Sequence, residues 1–351
     1  MKIQKIQLKH FRNYSNLEIS LGKGINIFYG NNAQGKTNIL EAIFLCSIGR
    51  SFRTNKEKEL IQFGEDLATV QLDFAKKDRE GSVKYTINPK KSITVNGVKI
   101  KRLSELLGNI NTVIFTPDDI NILKNGPAAR RKFLDIYISQ LRPKYLYTLN
   151  LYGKTLEQRN NYLRLPEKKE EMLEIWDEKL AEYAEIIFHY RQEYIQKIKE
   201  KIQKIHQNIT EGKEEINLFY RSDFENKEQF QKILKNHRKI DFMKGYTSKG
   251  IHHDDFEVFL NDKMVNVYGS QGQHRTAMLS LKMAELEVIE EEIGEAPILL
   301  LDDFMSELDQ TRRKNFLQYI QNAQVIITGT EKMEFENLDY SIFHVQKGEI
   351  N

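Results

Sequence analysis

The chain has 351 residues, a formal net charge of +3 at pH 7 and a single cysteine. This length suits one large domain with an insertion, or two lobes, and one cysteine excludes an internal disulfide. No apolar run reaches the roughly 18 residues of a membrane-spanning helix, and residues 1–8 lack the apolar core of a secretion signal. We therefore expect a soluble, cytoplasmic protein with no membrane partner.

The charges are unevenly distributed along the chain. Residues 1–60 hold ten Lys or Arg against four Glu, whereas residues 283–311 hold ten Asp or Glu and no Lys or Arg. This asymmetry suggests separate faces, one of them suited to a polyanion. From charge alone, an ordinary solvated surface explains the pattern equally well.

The first 116 residues predict strands around one helix. Apolar and polar residues alternate in the early segments, and Asn96-Gly97 is a dipeptide favoured in tight hairpin turns. The predicted strands cover residues 5–9, 17–21, 25–29, 68–74, 82–88, 93–100 and 111–116.

One segment matches the phosphate-binding pattern G-x-x-x-x-G-K-[ST] at every fixed position. A buried strand at residues 25–29 comes before it, and a helix with Ile39, Ile43 and Cys46 on one face comes after it. Strand, glycine turn and helix form the setting that this motif requires, so we predict a nucleotide site with Cys46 as a core thiol. The predicted ligand-binding residues are Gly30, Asn31, Asn32, Ala33, Gln34, Gly35, Lys36 and Thr37.

The residue types of this loop explain its chemistry. Gly30 and Gly35 allow turn conformations in which successive backbone N–H groups converge on phosphate oxygens. The start of the helix adds its positive end. Lys36 supplies a cation for the terminal phosphates and counts as catalytic, and the Thr37 hydroxyl is a candidate Mg²⁺ ligand.

The middle of the chain predicts helices. Pro127 is well placed at a first helical position, and apolar residues from Met172 to Ile209 recur about every 3.7 residues, as in a long and nearly straight helix. The aromatic residues on this stripe are interpreted as core. A strand at residues 215–220 and a helix at 229–242 follow. Residues 252–255 read His-His-Asp-Asp, but without a second ligand group they predict no structural metal.

A buried strand near the C-terminus ends in two carboxylates. Residues 298–301 are apolar, and Asp302 and Asp303 follow at once. A strand that delivers an Asp beside a phosphate loop is how such proteins hold Mg²⁺, so Asp302 is predicted as a metal ligand that acts through water. Asp303 is predicted to orient or deprotonate the attacking water. A helix after Asp309 and strands at 325–328 and 342–345 complete the prediction.

A second anion-binding feature lies about thirty residues before these carboxylates, where a helix is predicted to start after Gly272. The pattern Ser-x-Gly-Gln is similar to the signature motif of the ATP-binding-cassette superfamily, whose members place it across a dimer interface on the partner's ATP. Its residues here are Ser270, Gln271, Gly272 and Gln273.

Taken together, these segments resemble the RecF family, from the first strand to the last and in the same order. The resemblance implies an α/β fold, an ABC/SMC-like ATPase head with a mixed β-sheet lobe around the phosphate-loop helix and a mainly helical lid. It also implies that Arg12 belongs to the nucleotide site. The segments that carry the resemblance are residues 11–14, 30–37, 49–53, 270–276 and 302–309.

The resemblance further implies an ATP- and Mg²⁺-dependent DNA-binding protein that forms a homodimer on ATP. Weak, DNA-stimulated hydrolysis would reset this clamp, and RecO and RecR would be partners in loading RecA at single-strand gaps. Double-stranded, gapped or junction DNA would be bound without regard to sequence. The candidate phosphate contacts are Arg50, Arg53, Arg130, Arg131 and Lys132.

The expected division is an N-terminal ATPase part at 1–120, a helical lid at 121–245 and a C-terminal ATPase part at 246–351. The general cassette pattern has Glu where this chain has Asp303, and Thr328 stands near the place of a late histidine. No Gln-loop is assigned, and His253 receives no role. The alternative is an ABC-type ATPase subunit of another assembly, a transporter or a chromosome organiser.

Overall fold

The computed structural model describes residues 1–77, 79–88, 90–307, 316, 320, 322–334 and 338–350. They divide into two compact units, Met1–Asp119 with Lys282–Asn351, and Ile120–Leu281. Residues 246–281 group with the second, helical unit, whereas the expected division placed them in the C-terminal ATPase part. The physical reason is strand pairing, because the strand at 255–260 forms an antiparallel sheet with the strand at 216–221, which belongs to the helical unit.

The elements were largely expected from the sequence, although the helices at 120–124, 143–163 and 265–268 and the strands at 255–260, 263–264 and 349–350 were not. The strands are β1 (Lys2–Phe11), β2 (Tyr14–Ser20), β3 (Ile25–Tyr29), β4 (Ala68–Lys76), β5 (Arg79–Asn88), β6 (Lys90–Val95), β7 (Val98–Lys99), β8 (Thr112–Phe115), β9 (Ile216–Arg221), β10 (Asp255–Leu260), β11 (Lys263–Met264), β12 (Ile298–Leu301), β13 (Val325–Gly329), β14 (Tyr340–Gln346) and β15 (Glu349–Ile350). The helices are α1 (Lys36–Ile48), α2 (Ile120–Lys124), α3 (Pro127–Leu141), α4 (Pro143–Leu163), α5 (Glu174–Thr210), α6 (Lys227–Lys244), α7 (Val265–Tyr268) and α8 (Gln271–Ile293).

The first unit contains an antiparallel sheet in the order β2-β1-β4-β5-β6-β7. Its strands alternate as predicted, so Ile6 and Leu8 are buried. The predicted hairpin turn is confirmed, because Asn96 and Gly97 both have positive φ angles, 51° and 78°, between β6 and β7. Cys46 is buried, as expected of a core thiol.

A second sheet of this unit carries the predicted phosphate loop. Its order is β15-β14-β3-β13-β12-β8, and every neighbouring pair from β14 to β8 is parallel. The strands β8 and β12 are buried along their whole length, which accounts for their continuous apolar sequences. Because parallel strands share one direction, the carboxyl ends of β3, β12 and β13 meet at the same edge.

The second unit consists of α2 to α7, the first part of α8 and a small sheet in the order β11-β10-β9. The helices α4 and α6 pack on the 37-residue helix α5. The predicted stripe of α5 is buried at Leu180, Ile187, Tyr194 and Ile198. Met172, which was expected at the start of this stripe, is 46% exposed because it lies in a 3₁₀ turn before the helix.

Buried ion pairs connect α4, α5 and α6 inside this unit. Arg159 of α4 is fully buried and donates to Asp177 of α5 at 2.8 Å and to Asp241 of α6 at 2.7 Å. Arg238 of α6 donates to the second oxygen of Asp177 at 2.8 Å. Charges removed from water persist only when they are paired and hydrogen-bonded, so this network fixes how the three helices meet.

The helix predicted after Asp309 falls largely outside the described residues. Among the residues that the structure does describe, no helix is long and apolar enough to cross a membrane.

The buried network predicts the effect of removing its centre. Replacing Arg159 by methionine leaves Asp241 and one oxygen of Asp177 buried without their cation, and we expect the free energy of unfolding in urea to fall by about 3–5 kcal/mol. Lys179→Met removes an exposed pair with Glu182 in the same region and is the matched control, with no measurable change expected. Equal stability of the two variants would contradict this role.

Candidate functional site

The phosphate loop has the predicted strand–turn–helix geometry. The strand β3 ends at Tyr29, and α1 begins at Lys36. Gly30 and Gly35 have φ angles of 150° and 114°, which residues with a side chain rarely adopt. A Cβ atom on Gly30 would lie 2.3 Å from the carbonyl oxygen of Val345, so the neighbouring strand also requires glycine there.

Lys36 turns back over the loop. Its ammonium group donates to the carbonyl oxygens of Gly30 at 2.7 Å and Asn31 at 2.9 Å. Residues 31–33 of the loop are exposed to solvent. The lysine cation and the start of α1 therefore concentrate positive potential at the turn.

The turn between β1 and β2 forms hydrogen bonds with the phosphate loop and with α1. Asn13 donates its amide N–H to the carbonyl oxygen of Gln34 at 2.7 Å and accepts a hydrogen bond from Asn38 of α1, also at 2.7 Å. The Tyr14 hydroxyl donates to the carbonyl oxygen of Gly35 at 3.1 Å. Tyr14 is fully buried, and burial raises its pKa, so the hydroxyl keeps its proton. These contacts hold the backbone of the phosphate loop in place.

Arg12 from the same turn pairs with α1. Its guanidinium donates two hydrogen bonds to Glu41, at 2.8 and 2.7 Å, and a third to the carbonyl oxygen of Glu59 at 2.7 Å. Glu41 is fully buried and also accepts a hydrogen bond from Ser51. Arg53 lies 3.4 Å from the same carboxylate. Arg12 was predicted to bind the cofactor, and here its guanidinium holds the turn against the helix that follows the phosphate loop.

Asp302 follows the carboxyl end of β12 and lies beside Thr37 of α1. Its Oδ1 atom accepts hydrogen bonds from the Thr37 hydroxyl at 2.7 Å and the Thr328 hydroxyl at 2.8 Å. The side chain is nearly buried, and burial raises its pKa while the two hydroxyl donors oppose the rise. The predicted proximity of Thr37 and Asp302 is thus present. Their hard oxygen atoms are the kind of donors that Mg²⁺ takes.

Asp303 sits beside this pair in an unusual conformation. Its φ angle is 48°, in the left-handed region, and its backbone N–H donates to the Thr328 hydroxyl at 3.0 Å. Asp tolerates this region better than most residues do. Thr328 therefore holds the side chain of Asp302 and the backbone of Asp303 with one hydroxyl group. Its only signal in the sequence was its place at the end of a late strand.

The signature segment lies in the second unit and forms a reciprocal cap at the start of α8. The backbone N–H of Ser270 donates to the side-chain oxygen of Gln273 at 2.9 Å, and the N–H of Gln273 donates to the Ser270 hydroxyl at 3.2 Å. Ser270, Gln271 and Gly272 are exposed. This capping box uses the N–H groups of Ser270 and Gln273 and does not involve those of Gln271 and Gly272. Ser306 and Glu307 end a 3₁₀ turn, and residues 308–309 lie outside the described residues.

The basic candidates differ in their surroundings. Arg130 is 5% exposed and makes a two-pronged ion pair with Asp255 at 2.6 and 2.8 Å, so its prediction as a phosphate contact is wrong. Arg131 is half-buried and donates to the carbonyl oxygen of Asp254. Arg50 and Lys132 are exposed, and Arg53 is 44% exposed.

The His-His-Asp-Asp segment is tied into the helical unit. His252 contacts the Tyr152 hydroxyl at 2.8 Å, and burial lowers its pKa to about 4. Asp254 accepts a hydrogen bond from Tyr220, and Asp255 pairs with the arginine described above. In the part of the chain that the structure describes, no group of three or more His, Cys, Asp or Glu is placed to hold a metal ion.

The chain is similar to known proteins over its whole length. The family model described as "RecF/RecN/SMC N terminal domain" matches residues 2–351. The protein named "DNA replication and repair protein RecF" from Clostridium novyi (strain NT) is 44% identical over 360 residues, with both chains covered completely. Its namesake from Clostridium tetani (strain Massachusetts / E88) is also 44% identical, with 99% of each chain covered.

Solved structures agree with this similarity. The structure of the recombination mediator protein RecF-ATP in the RecFOR pathway is 39% identical, covers 99% of this chain and 96% of its own, and has a TM-score of 0.93. The Smc head domain bound to ScpA from Pyrococcus furiosus has a TM-score of 0.58 at 18% identity, with 99% and 94% covered, and shows likeness of fold alone. The expected ATPase-head fold is confirmed.

The close approach at Gly30 gives a direct prediction. Gly30→Ala places a methyl group against a backbone oxygen at a strained φ angle, and we expect the free energy of unfolding to fall by about 1–3 kcal/mol. The exposed helical Gly153, whose Cβ would meet nothing within 4 Å, is the control. Gly153→Ala is expected to raise stability by about 0.5–1 kcal/mol. Urea unfolding checks both, and a neutral Gly30→Ala would contradict the geometry.

Proposed function

This chain belongs to the RecF family, and we propose that it is an ATP-binding recombination mediator that acts on DNA in repair and replication recovery. The observation that carries the proposal is the 2.7 Å contact between Thr37 and Asp302, beside a glycine loop with an inward-turned lysine. Two relatives in this family were solved with nucleotide, one with ATP and one with ATPrS. The same site chemistry supports ATP as the ligand here.

The proposed roles of the loop residues follow from their positions. Backbone N–H groups of residues 31–37 would surround the phosphate oxygens, and Lys36 would exchange its carbonyl contacts for the terminal phosphates. Thr37 and Asp302 would hold Mg²⁺, which supplies charge neutralisation at the β- and γ-phosphates when bound. Arg12 would support the nucleotide side of the site through its contact with α1.

We assign the water-activating role to Asp303. It follows the metal-ligand candidate directly, and its backbone N–H is held by Thr328, which fixes the point from which the carboxylate would reach an attacking water. The Asp side chain is one methylene shorter than Glu and reaches less far. Slow hydrolysis suits a switch in which ATP binding sets one state and its cleavage ends that state.

The signature segment supports a second step, dimerisation on ATP. Exposed Ser270, Gln271 and Gly272 at the start of α8 would offer a hydroxyl and backbone N–H groups to an anion. We propose that they bind the γ-phosphate held by a second copy, so that two ATP molecules bridge two chains. Hydrolysis then removes the bridge and opens the clamp.

DNA is the proposed ligand of this clamp, with double-stranded, gapped or junction DNA bound through its phosphates. The remaining candidates for these contacts are Arg50, Arg53, Arg131 and Lys132. The family relatives solved in the RecFOR pathway support RecO and RecR as partners. We further propose RecA loading at single-strand gaps as the outcome and the cytoplasm as the location.

Light scattering with Mg-ATP and Mg-ADP tests the function. ATP alone is expected to double the mass of the wild-type protein, because only the γ-phosphate completes the bridge. Ser270→Arg is expected to bind ATP but stay monomeric, since the larger side chain blocks the partner's phosphate. Lys36→Arg, which alters the cation at the loop, is expected to weaken the ATP effect.

Ser20→Arg adds the same charge at the exposed end of β2 and is expected to leave dimerisation unchanged. A wild-type mass that ignores the nucleotide would overturn the shared-site mechanism, and an ATP-dependent dimer of Ser270→Arg would exclude the signature segment from it.

Removal of one hydroxyl tests the carboxylate arrangement. Thr328→Val keeps the shape of the side chain but loses both hydrogen bonds, and we expect ATP turnover at saturating Mg-ATP to fall about 10–100-fold. Thr328→Ser keeps the hydroxyl and is expected to retain most of the activity. Steady-state phosphate release measures both, and wild-type turnover in the valine variant would contradict the assigned role of Thr328.

A further inference from the structure

Glu214 lies between α5 and β9 in the helical unit, outside every motif identified in the sequence. Its Oε1 atom accepts a hydrogen bond from the side-chain N–H of Gln273 at 2.8 Å, across 59 positions of sequence. The side chain is 21% exposed. This contact connects an otherwise unremarked carboxylate to the signature segment.

The contact determines which way the Gln273 amide faces. The amide oxygen accepts the backbone N–H of Ser270 at 2.9 Å, while its NH₂ group points at Glu214. An ionised carboxylate can only accept hydrogen bonds. An inverted amide would therefore present oxygen to the Glu214 carboxylate and NH₂ to the N–H of Ser270, and both contacts would be repulsive.

The amide in turn sets the geometry of Ser270. With the capping box closed, the Ser270 oxygen accepts the backbone N–H of Gln273 at 3.2 Å. The hydroxyl proton then remains available for an external acceptor, and Ser270 is exposed to receive one. An open box would release both the Ser270 side chain and the first turn of α8.

Glu214 also contacts α5. Its Oε2 atom lies 3.4 Å from Nε2 of His206, which is fully buried. The other ring nitrogen of His206 lies 2.9 Å from the Ser280 hydroxyl of α8. Glu214 thus sits between the end of the long helix and the helix that begins with the signature segment.

We infer that Glu214 is a positioning residue for the signature segment and keeps Ser270 and Gln273 in the geometry that binds the γ-phosphate on a second copy. This inference rests on the proposed function, in which the segment acts across a dimer. Glu214, just after the C-terminal end of α5, would thereby contribute to ATP-dependent dimerisation.

The test measures the monomer–dimer Kd of the full chain at saturating Mg-ATP by light scattering over a range of protein concentrations. Glu214→Ala is expected to raise this Kd about tenfold or more, as the loss of a charge-assisted hydrogen bond predicts. Glu214→Gln keeps an acceptor oxygen and is expected to recover most of the affinity. Glu215→Ala, an adjacent exposed glutamate, is the matched control and is expected to leave the Kd unchanged.

Two further readouts separate positioning from a general structural role. The affinity of the monomer for ATP is expected to be the same in all variants, because the phosphate loop is a different segment. In a double-mutant cycle, adding Glu214→Ala to Gln273→Ala is expected to weaken the dimer no further. A drop in ATP affinity of the Glu214→Ala monomer, or full additivity in the cycle, would overturn the inference.

The outcomes also separate this inference from the function on which it rests. If the wild-type protein does not dimerise on ATP, the proposed clamp and the role of Glu214 both fall. If the wild type dimerises and Glu214→Ala dimerises as tightly, the clamp stands and the role of Glu214 is overturned.

Discussion

The hydrogen bonds that converge on Asp302 are the constraint on which the candidate site depends. One carboxylate oxygen receives hydroxyl donors from Thr37, on the helix after the phosphate loop, and from Thr328, on the strand between β3 and β12. A carboxylate this deeply buried is tolerated only with such partners. The parallel sheet makes the convergence possible, since it brings three strand ends to one edge. The phosphate loop and the metal-ligand candidate are therefore positioned by the same sheet.

The turn between β1 and β2 restrains the backbone of the phosphate loop. Asn13 and Tyr14 bind its backbone, and Arg12 is fixed to Glu41 one turn along the helix. A rigid loop has lost its conformational entropy before the ligand arrives, so more of the phosphate interaction energy remains for affinity. The signature segment lies in the other unit. In the proposed dimer, a nucleotide that contacts both segments would act as a switch, and its γ-phosphate would supply the difference in free energy between the two states.

The sequence predicted the parts of the site that depend on local spacing. The phosphate loop and its flanking strand and helix follow from residues close in the chain, and the position of Asp302 follows from the rule for parallel strands. The bracing role of Asn13 and the dual role of Thr328 could not be predicted, because each joins segments far apart in sequence. Arg130 shows the converse, since a run of basic residues has the same sequence whether its side chains face solvent or pair with a half-buried carboxylate such as Asp255.

The central claim is that Thr37 and Asp302 hold the metal ion of a bound ATP. Calorimetric titration of ATP with and without Mg²⁺ tests it in the wild type, in Asp302→Asn and in Asp303→Asn as the control. The assignment of Thr37 and Asp302 as metal ligands predicts that Mg²⁺ tightens ATP binding in the wild type and in Asp303→Asn, and that this effect is lost in Asp302→Asn. An equal Mg²⁺ effect in the wild type and in Asp302→Asn would contradict it.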